Sequence, residues 1–306
     1  MTSPEAAVFA ERLRRLATEL ATSESLGQLR ARVDGLGELT SEPGAVMYRW
    51  TDVEGIRCLW AEPDGEPMGV VQYVHGGAYV VGSARAYRRL TGHLARVSGC
   101  AVVSVEYRLA PEHPFPAPVD DCLAAYRGLL DAGFEPSRVA LAGDSAGAGL
   151  ALNTLHRLPG AELPMPATAV LLSPWVDLEL GGASIEENVD LDLLLRARDL
   201  RAGARAHLAG TSPRDPAASS LHADLSRCCP LYIQAGSDEI LLDDARRLSA
   251  HAAAHGVRTT LDVVAGMQHV FQIGAGYLPE ATDAIERIAA HLQEHLPGAP
   301  AVRGAG

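Results

Sequence analysis

A serine set between two glycines is the feature of this sequence that most clearly suggests chemistry. Ser145 lies in the segment Gly143 to Gly147, which reads Gly-Asp-Ser-Ala-Gly. The segment follows an apolar run and precedes a stretch with helical periodicity, so Ser145 should occupy a sharp turn between a strand and a helix. Glycines beside that turn would let neighbouring chain segments approach and expose the hydroxyl. The pattern predicts a nucleophilic serine, and the adjacent Asp144 is expected to brace the turn. The five-residue pattern alone also arises by chance.

A nucleophilic serine also needs backbone donors for a developing oxyanion. Residues 75 to 79 read His-Gly-Gly-Ala-Tyr and come directly after the apolar run Val70 to Val74. Small residues there would let N–H groups turn into the site, where the N–H after the serine would join them. The predicted donors are Gly76, Gly77 and Ala146, with Ala78 as a further candidate. A plain glycine-rich connecting turn is the alternative interpretation.

Eleven histidines compete for the role of general base. His269 follows the apolar run Leu261 to Val264, and a loop at the carboxyl end of a strand could carry it toward Ser145. His251 and His255 are four residues apart on one helix face and could in principle ligate a metal. The glutamate of a zinc-hydrolase motif does not follow the first of them. We therefore assign the base to His269 and expect no metal.

The acid that orients this histidine should also follow a strand. Asp238 comes after the apolar run Leu231 to Ala235 and a Gly-Ser turn, ahead of a helix. Glu239, Asp243 and Asp244 are rivals, although the last two can be explained as carboxylates favoured at a helix N-terminus. Asp238 is the predicted acid.

Apolar runs that alternate with amphipathic segments would position these loops. The runs typical of strands buried on both faces are Val70 to Val74, Ala101 to Val105, Val139 to Ala142, Ala169 to Leu172, Leu231 to Ala235 and Leu261 to Val264. Helical periodicity marks Tyr87 to Val97, Val119 to Ala132, Ala148 to Leu158, Asp243 to Ala254 and Glu280 to His295. This alternation predicts an α/β fold with a mostly parallel sheet. An antiparallel hairpin, Val46 to Trp50 with Ile56 to Trp60, is expected at its edge.

Two segments do not fit the alternation, residues 1–40 and residues 178–215. They could form a helical cap over the carboxyl edge of the sheet, or they could be ordinary peripheral helices. The remaining residues, about 45–177 and 216–295, form the predicted catalytic core of a single domain that spans 1–306. The tail from Pro297 to Gly306 is expected to be disordered.

Composition excludes several classes of protein. The 306 residues carry a net charge of −12, which opposes nonspecific binding to nucleic acid or anionic membrane. No apolar run approaches the roughly 20 residues that span a bilayer, and the N-terminus lacks the pattern of a signal peptide. Five cysteines without metal-binding spacing fit reduced thiols. We expect a cytoplasmic protein without nucleic-acid or membrane partners, and a homodimer is left open.

Several of these motifs, in one order along the chain, resemble the bacterial esterase branch of the hormone-sensitive-lipase family of α/β-hydrolases. The resemblance spans about residues 45–295 and rests on His75 to Gly77, Tyr107 to Ala117, Gly143 to Gly147 and Gly236 to Glu239. It implies an eight-stranded sheet with a small helical cap. The triad it implies is Ser145, Asp238 and His269, in the chain order of α/β-hydrolases, with oxyanion donors at the turn glycines and Ala146.

One position departs from the family pattern. The third glycine of the turn is Ala78 in this chain. If that residue needs a positive φ, its methyl group would strain the turn, so its role as a donor is left open.

The motifs and the resemblance together predict a serine carboxylesterase that needs no cofactor and acts on a small-molecule ester or lactone. The segments Gly236 to Asp244 and Met267 to Phe271 are further similar to ε-lactone hydrolases and acetyl-hydrolases, so lactone opening and N-acetyl removal are alternatives. A small-molecule binding protein on an inactive hydrolase fold is a weaker alternative. A nucleotide-dependent oxidoreductase is weaker still, because the run Gly147 to Leu152 lacks the third glycine of a dinucleotide fingerprint.

The predicted cap is modest in size and should close over a small cavity. Aromatic residues beside the catalytic motifs could form its apolar walls, and the candidates are Tyr79, Trp175 and Phe271. Since a methylene that meets a wall costs more than it gains, short acyl chains should be preferred. Plain core positions are the alternative interpretation of these aromatics.

Overall fold

A mostly parallel sheet of eight strands forms the centre of the molecule. The computed structural model describes residues 2–297, so nine of the ten residues of the predicted disordered tail lie outside the described residues. The strands are β1 (Val46–Val53), β2 (Ile56–Pro63), β3 (Val70–Val74), β4 (Ala101–Val105), β5 (Val139–Asp144), β6 (Thr168–Leu172), β7 (Leu231–Gly236) and β8 (Thr259–Val264). Their order in the sheet is β1-β2-β4-β3-β5-β6-β7-β8.

The pairing of these strands fixes where their ends lie. β1 pairs with β2 and β2 with β4 in antiparallel register, whereas β4, β3, β5, β6, β7 and β8 run parallel to one another. The carboxyl ends of these six strands therefore meet at one edge. The segments that carry Ser145, Glu239 and His269 follow β5, β7 and β8 at this edge.

Helices cover both faces of the sheet. They are α1 (Pro4–Ala21), α2 (Leu26–Val33), α3 (Arg88–Ser98), α4 (Ala117–Asp131), α5 (Ala146–Arg157), α6 (Ser184–Glu187), α7 (Ala197–Leu208), α8 (Leu242–Ala254) and α9 (Pro279–His295). Alternate residues of the strands point to opposite faces. Val71 and Tyr73 pack in the cluster that includes α3 and α9, whereas Val70 and Val74 pack in the cluster that includes α4, α5 and α8.

The predicted fold and hairpin are confirmed. β3 and β4 have the bounds of the predicted apolar runs, because central strands buried on both faces are nearly continuously apolar. The other predicted strands and helices are present with ends that move by one to three residues, the largest change being at the ends of β1 and β2. Within residues 2–297, no helix is long and apolar enough to cross a bilayer. All five cysteines are free thiols.

The two segments outside the alternation lie beside the carboxyl edge of the sheet. Residues 1–40 contain α1 and α2, and residues 178–215 contain α6 and α7; we call these two segments the cap. Parts of both line one cavity together with Ser145 and His269. α1 is joined to α9 by Ser3, whose N–H and Oγ donate to the Glu280 carboxylate at 2.6 and 2.8 Å.

Candidate active site

Ser145 occupies a strained turn between β5 and α5. Its φ of 52° and ψ of −123° are unusual for a residue with a side chain, and it forms the N-terminal cap position of α5. The neighbouring glycines are required by close approach. A Cβ at Gly143 would lie 2.7 Å from the carbonyl oxygen of Val74, and one at Gly147 would overlap that same oxygen. The predicted strand-turn-helix setting is therefore confirmed.

Asp144 braces this turn, as predicted. Its Oδ1 accepts hydrogen bonds from the Tyr73 hydroxyl at 2.8 Å and from the Gly76 N–H at 3.0 Å. Burial raises the pKa of Asp144 to about 6. The carboxyl thus joins the nucleophile turn to the glycine turn that follows β3.

The same contact corrects one predicted oxyanion donor. The Gly76 N–H already donates to Asp144, so it is not free to meet an oxyanion. The N–H groups of Gly77, Ala78 and Ala146 make no hydrogen bond within residues 2–297. Gly77 and Ala78 line the cavity with Ser145. These three groups are the donors that remain available. The spacing of the motif could not show that Asp144 reaches back to the first glycine.

His75 is the first residue of the glycine turn, and its contacts with Tyr107 stabilise that turn. Its ring is buried and stacks on Tyr107 with centroids 4.3 Å apart, and the Tyr107 hydroxyl donates to the His75 carbonyl at 2.9 Å. Burial lowers the pKa of His75 to about 4, so its ring is neutral at neutral pH. The Ala110 N–H donates to the Tyr79 carbonyl at 3.0 Å. The segment Tyr107 to Ala117 therefore supports the wall of the site structurally.

His269 lines the cavity with Ser145, and Glu239 holds its ring. The distance from His269 Nδ1 to Glu239 Oε2 is 3.1 Å, and both side chains are buried. Burial of the ring lowers the pKa of His269, but the hydrogen bond and the charge of Glu239 outweigh burial and leave the pKa raised above its ordinary value. Ser173 supports this loop, since its Oγ accepts from the Val270 N–H at 2.9 Å.

Glu239 occupies the position predicted for Asp238, so the prediction of Asp238 as the partner of His269 is wrong. The half-buried Asp238 accepts a hydrogen bond from Ser237 Oγ at 2.6 Å. Its N–H donates to the Met267 carbonyl at 3.0 Å, which fixes the backbone at this point. Consecutive side chains leave the chain in different directions, so the next residue points inward. No spacing rule distinguishes two adjacent carboxylates, and Glu239 was only a rival in the sequence.

Asp243 and Asp244 accept hydrogen bonds from backbone N–H groups, and within residues 2–297 neither is bonded to His269. They lie in the first turn of α8, as their interpretation as helix-start carboxylates predicted. Asp243 accepts from the Ser184 N–H at 3.0 Å, and Asp244 accepts from the Val176 and Asp177 N–H groups at 2.9 Å each. These contacts tie the beginning of the second cap segment to α8.

Three side chains that the sequence analysis missed also tie the second cap segment to the loops after β7 and β8. These two loops carry Glu239 and His269 and are called the catalytic loops. Asn188 Nδ2 donates to the carbonyls of Ser237 and Glu239 at 3.0 and 2.9 Å. The buried Asp192 accepts from the Ile240 N–H at 2.9 Å. Gln268, next to His269, exchanges hydrogen bonds with the backbone of Leu191 and Leu193, as donor and acceptor respectively. No local signal in the sequence identifies them, because their partners are distant along the chain.

The cavity above Ser145 has a volume of about 1380 Å³ and is open to solvent. Ser145 itself is 6% exposed. Leucines from both cap segments form much of the wall: Leu13, Leu20, Leu26, Leu29, Leu36, Leu193, Leu194, Leu195 and Leu200. The expectation of a small cavity is therefore wrong. The cap segments surround the space above the sheet without filling it.

The three aromatics predicted as pocket walls lie in the core instead. Tyr79, Trp175 and Phe271 are fully buried, and none of them is among the residues that line the cavity. The rings of Tyr79 and Trp175 lie 5.3 Å apart, and Phe271 packs in a cluster with Phe9 and Leu13 of α1. Nearness to a catalytic motif in sequence did not determine the direction of these side chains.

The pair considered for a metal makes contacts within the protein. His251 Nε2 lies 2.8 Å from the Ala223 carbonyl, and His255 Nδ1 lies 2.9 Å from the His251 carbonyl. At least one nitrogen of each ring is thus used by the backbone.

Comparisons with known proteins agree with this fold. Residues 71–273 match a family model described as the alpha/beta hydrolase fold. An acetyl-hydrolase of Streptomyces hygroscopicus is 44% identical over 260 residues, which cover 85% of this chain and 86% of that protein. The crystal structure of an esterase from the bacterial hormone-sensitive-lipase family superposes with a TM-score of 0.91 at 39% identity, and covers 97% of this chain and 99% of the other.

A crystal of EstE5 soaked with p-nitrophenyl butyrate gives a TM-score of 0.90 at 36% identity, with coverage of 96% and 99%. The chain belongs to the hormone-sensitive-lipase family of α/β-hydrolases. The predicted family and the predicted enzyme class, a carboxylic-ester hydrolase, are confirmed.

Proposed function

We propose that this enzyme hydrolyses short-acyl carboxylic esters through a triad of Ser145, His269 and Glu239. One observation carries the proposal: a buried histidine whose Nδ1 is held by a buried glutamate lines the same cavity as a serine in a strained turn. A base oriented by an acid, beside a nucleophile that lines an open cavity, is the arrangement that acyl transfer requires.

The reaction follows from these positions. Ser145 Oγ attacks the acyl carbon, and His269 takes its proton at Nε2 while Nδ1–H donates to Glu239. The developing oxyanion accepts hydrogen bonds from the N–H groups of Ala146, Gly77 and Ala78. Each such donor contributes about 3 to 4 kcal/mol to the transition state in known cases. His269 then protonates the leaving alkoxide, and a water activated by the same histidine releases the acid and restores Ser145.

The short-acyl preference has support from the relatives rather than from cavity size. The Streptomyces relative is named for an acetyl group, and the EstE5 crystal was soaked with a butyrate ester. A volume of about 1380 Å³ sets no tight limit on acyl length by itself. Discrimination must then come from the walls next to Ser145, where Ala78 and Gly203 lie close together. The same relative supports a second candidate function, the removal of an N-acetyl group by the same triad.

A substrate panel tests this proposal. It contains p-nitrophenyl esters from acetate to palmitate, a set of lactones and a set of acetamides, each assayed with the parent enzyme and with Ser145→Ala. We expect kcat/KM to peak at an acyl length of about two to six carbons, since each buried methylene contributes up to about 0.8 kcal/mol until it meets a wall. Ser145→Ala should lose several orders of magnitude without unfolding.

Two results would count against the proposal. A maximum at ten carbons or longer would show a long acyl groove, and undiminished turnover in Ser145→Ala would remove the nucleophile assignment. A higher kcat/KM for acetamides or lactones than for every ester would replace the substrate class while keeping the triad.

A further inference from the structure

We call the glycine turn after β3, residues 75–79, the oxyanion turn because it carries the Gly77 and Ala78 donors. Two of its consecutive residues have side chains and lie in the left-handed region. Ala78 has a φ of 51° and Tyr79 a φ of 67°. This conformation is unfavourable for residues that carry a Cβ, so it persists only where the surrounding structure determines it. The Ala78 N–H is one of the groups available to an oxyanion, so whatever holds this turn also aims a catalytic donor.

The element that covers the turn is the cap helix α7. Gly203 packs directly on Ala78: a Cβ built at Gly203 would lie 2.8 Å from the Ala78 carbonyl oxygen and 3.0 Å from the Ala78 Cβ. A glycine in the middle of a helix lowers helix stability relative to alanine, which calls for a structural reason at this position. Here the reason is close approach, because a Cβ at Gly203 would crowd both the carbonyl oxygen and the methyl group of Ala78.

His207 continues the same contact one turn further along α7. It lies four residues after Gly203, on the same face of the helix. Its ring stacks on the Tyr79 ring with centroids 3.9 Å apart and planes 11° apart. Its carbonyl accepts from the Phe115 N–H at 2.7 Å. Neither ring nitrogen has a hydrogen-bond partner among the described residues, so stacking is the contact that the ring makes.

We propose that Gly203 is a positioning residue for the oxyanion hole, and that α7, held against Tyr79 by His207, fixes the left-handed turn at Ala78. Gly203 lacks the Cβ that would press on the carbonyl oxygen and the methyl group of Ala78. The inference rests on the proposed function, since it explains how the Ala78 N–H is positioned for ester hydrolysis.

A double-mutant cycle tests this contact. The variants are Gly203→Ala, Ala78→Gly and the two combined, with Gly160→Ala as a control because a Cβ there meets nothing within 4 Å. Each is assayed for kcat, KM, thermal melting and inhibition by an alkylboronic acid, which forms a tetrahedral adduct on Ser145. Binding of acetate as a simple product measures the ground state.

We expect Gly203→Ala to lower kcat by about tenfold to a hundredfold, because a misdirected donor loses part of the 10²–10³ that one oxyanion donor contributes. The boronate affinity should fall by a similar factor, with KM and acetate binding little changed. Ala78→Gly in the Gly203→Ala background should restore part of both losses, because it removes the methyl contact and leaves the carbonyl contact, whereas Gly160→Ala should match the parent. A purely structural role would lower the melting temperature without this split.

A second pair of variants decides the matter if Gly203→Ala does not fold. His207→Ala removes the stacking on Tyr79 and should lower kcat and boronate affinity together, while His207→Phe keeps an aromatic ring and should retain most of both. Parent-like values in Gly203→Ala or in His207→Ala, or no restoration by Ala78→Gly, would overturn the inference. Ser145→Ala keeps the two proposals distinguishable. It should lose boronate binding because the nucleophile is removed while α7 is unchanged.

Discussion

His269 depends on a single carboxylate oxygen for its orientation. Glu239 Oε2 accepts from its Nδ1, whereas Glu239 Oε1 is buried without a hydrogen-bond partner in the described part of the chain. The charge of Glu239 therefore acts on the imidazole in a region from which water is largely excluded, where such interactions are strong. Loss of that charge should affect both the orientation and the ionisation of the ring.

The roles of the two adjacent carboxylates can be separated by amide substitutions. Glu239→Gln should lower kcat by about 10³ to 10⁴, as expected when the acid of a triad loses its charge. Asp238→Asn is the matched control and should leave kcat nearly unchanged, because Asp238 contacts Ser237 rather than His269. If the two effects were reversed, the triad acid would be Asp238 after all.

The pH profile of the same variants reports on the ionisation of His269. The base acts in its neutral form, so kcat/KM should fall as pH decreases through the histidine pKa. Because that pKa is raised, the midpoint should lie above the ordinary value for histidine. Glu239→Gln removes the charge that raises it and should move the midpoint to lower pH, whereas Asp238→Asn should leave it in place.

At this scale the sequence predicted residue types better than individual contacts. Ser145 and His269 could be selected because each follows an apolar run that ends at the catalytic edge of the sheet. Asp238 and Glu239 share that property, and their difference arises from the backbone hydrogen bond of Asp238 to Met267. Gly76 was likewise chosen from its motif, and only the tertiary contact with Asp144 shows that its N–H is occupied.

The second cap segment does more than cover the site. Asn188 and Asp192 bond to the backbone near and at Glu239. Gln268, the residue before His269, bonds to the backbone of the second cap segment. Since the Glu239 side chain has one hydrogen-bond partner among residues 2–297, its placement relies on this backbone support. The cap and the catalytic loops therefore form one connected unit.

Asn188→Ala tests that support at the scale of the element. Two hydrogen bonds to the Ser237 and Glu239 carbonyls are lost, so the variant should be less stable by about 1 to 3 kcal/mol. It should also lower kcat several-fold, because the Glu239 backbone can shift.

Asn153→Ala is the matched control. Asn153 Nδ2 donates to the Ala218 carbonyl at 3.0 Å in the core, away from the catalytic loops. It should lower the melting temperature to a similar extent with kcat preserved. Equal effects of the two variants on kcat and stability would leave Asn188 with a structural role alone.

Strands and cap segments differed in how well the sequence could define them. β3 and β4 are recognisable as nearly continuous apolar runs because helices cover both of their faces. α6 and α7 could not be delimited in the same way, since contacts near their ends are made with α8 and with Phe115, which are distant along the chain.

In the whole molecule, a wide cavity lies above the reacting side chains of Ser145 and His269. Both cap segments contribute to the cavity wall, and α1 is held to the core through Phe9, Leu13 and the contact of Ser3 with Glu280. The fold class and the position of the site followed from the β-α alternation. Cavity size did not, because it depends on how far the cap helices stand from the sheet and not on how many residues the cap contains.

Covalent labelling by an organophosphate tests the central claim, that His269 and Glu239 activate Ser145 for acyl transfer, most directly. The stoichiometry and the labelled peptide are determined by mass spectrometry, and the labelling rate is compared in the parent, Glu239→Gln and Asp238→Asn. We predict one label per chain, on Ser145, with activity lost in proportion and a labelling rate reduced in Glu239→Gln alone. A label on Ser173 with Ser145 unmodified, or full activity in the labelled enzyme, would contradict the account.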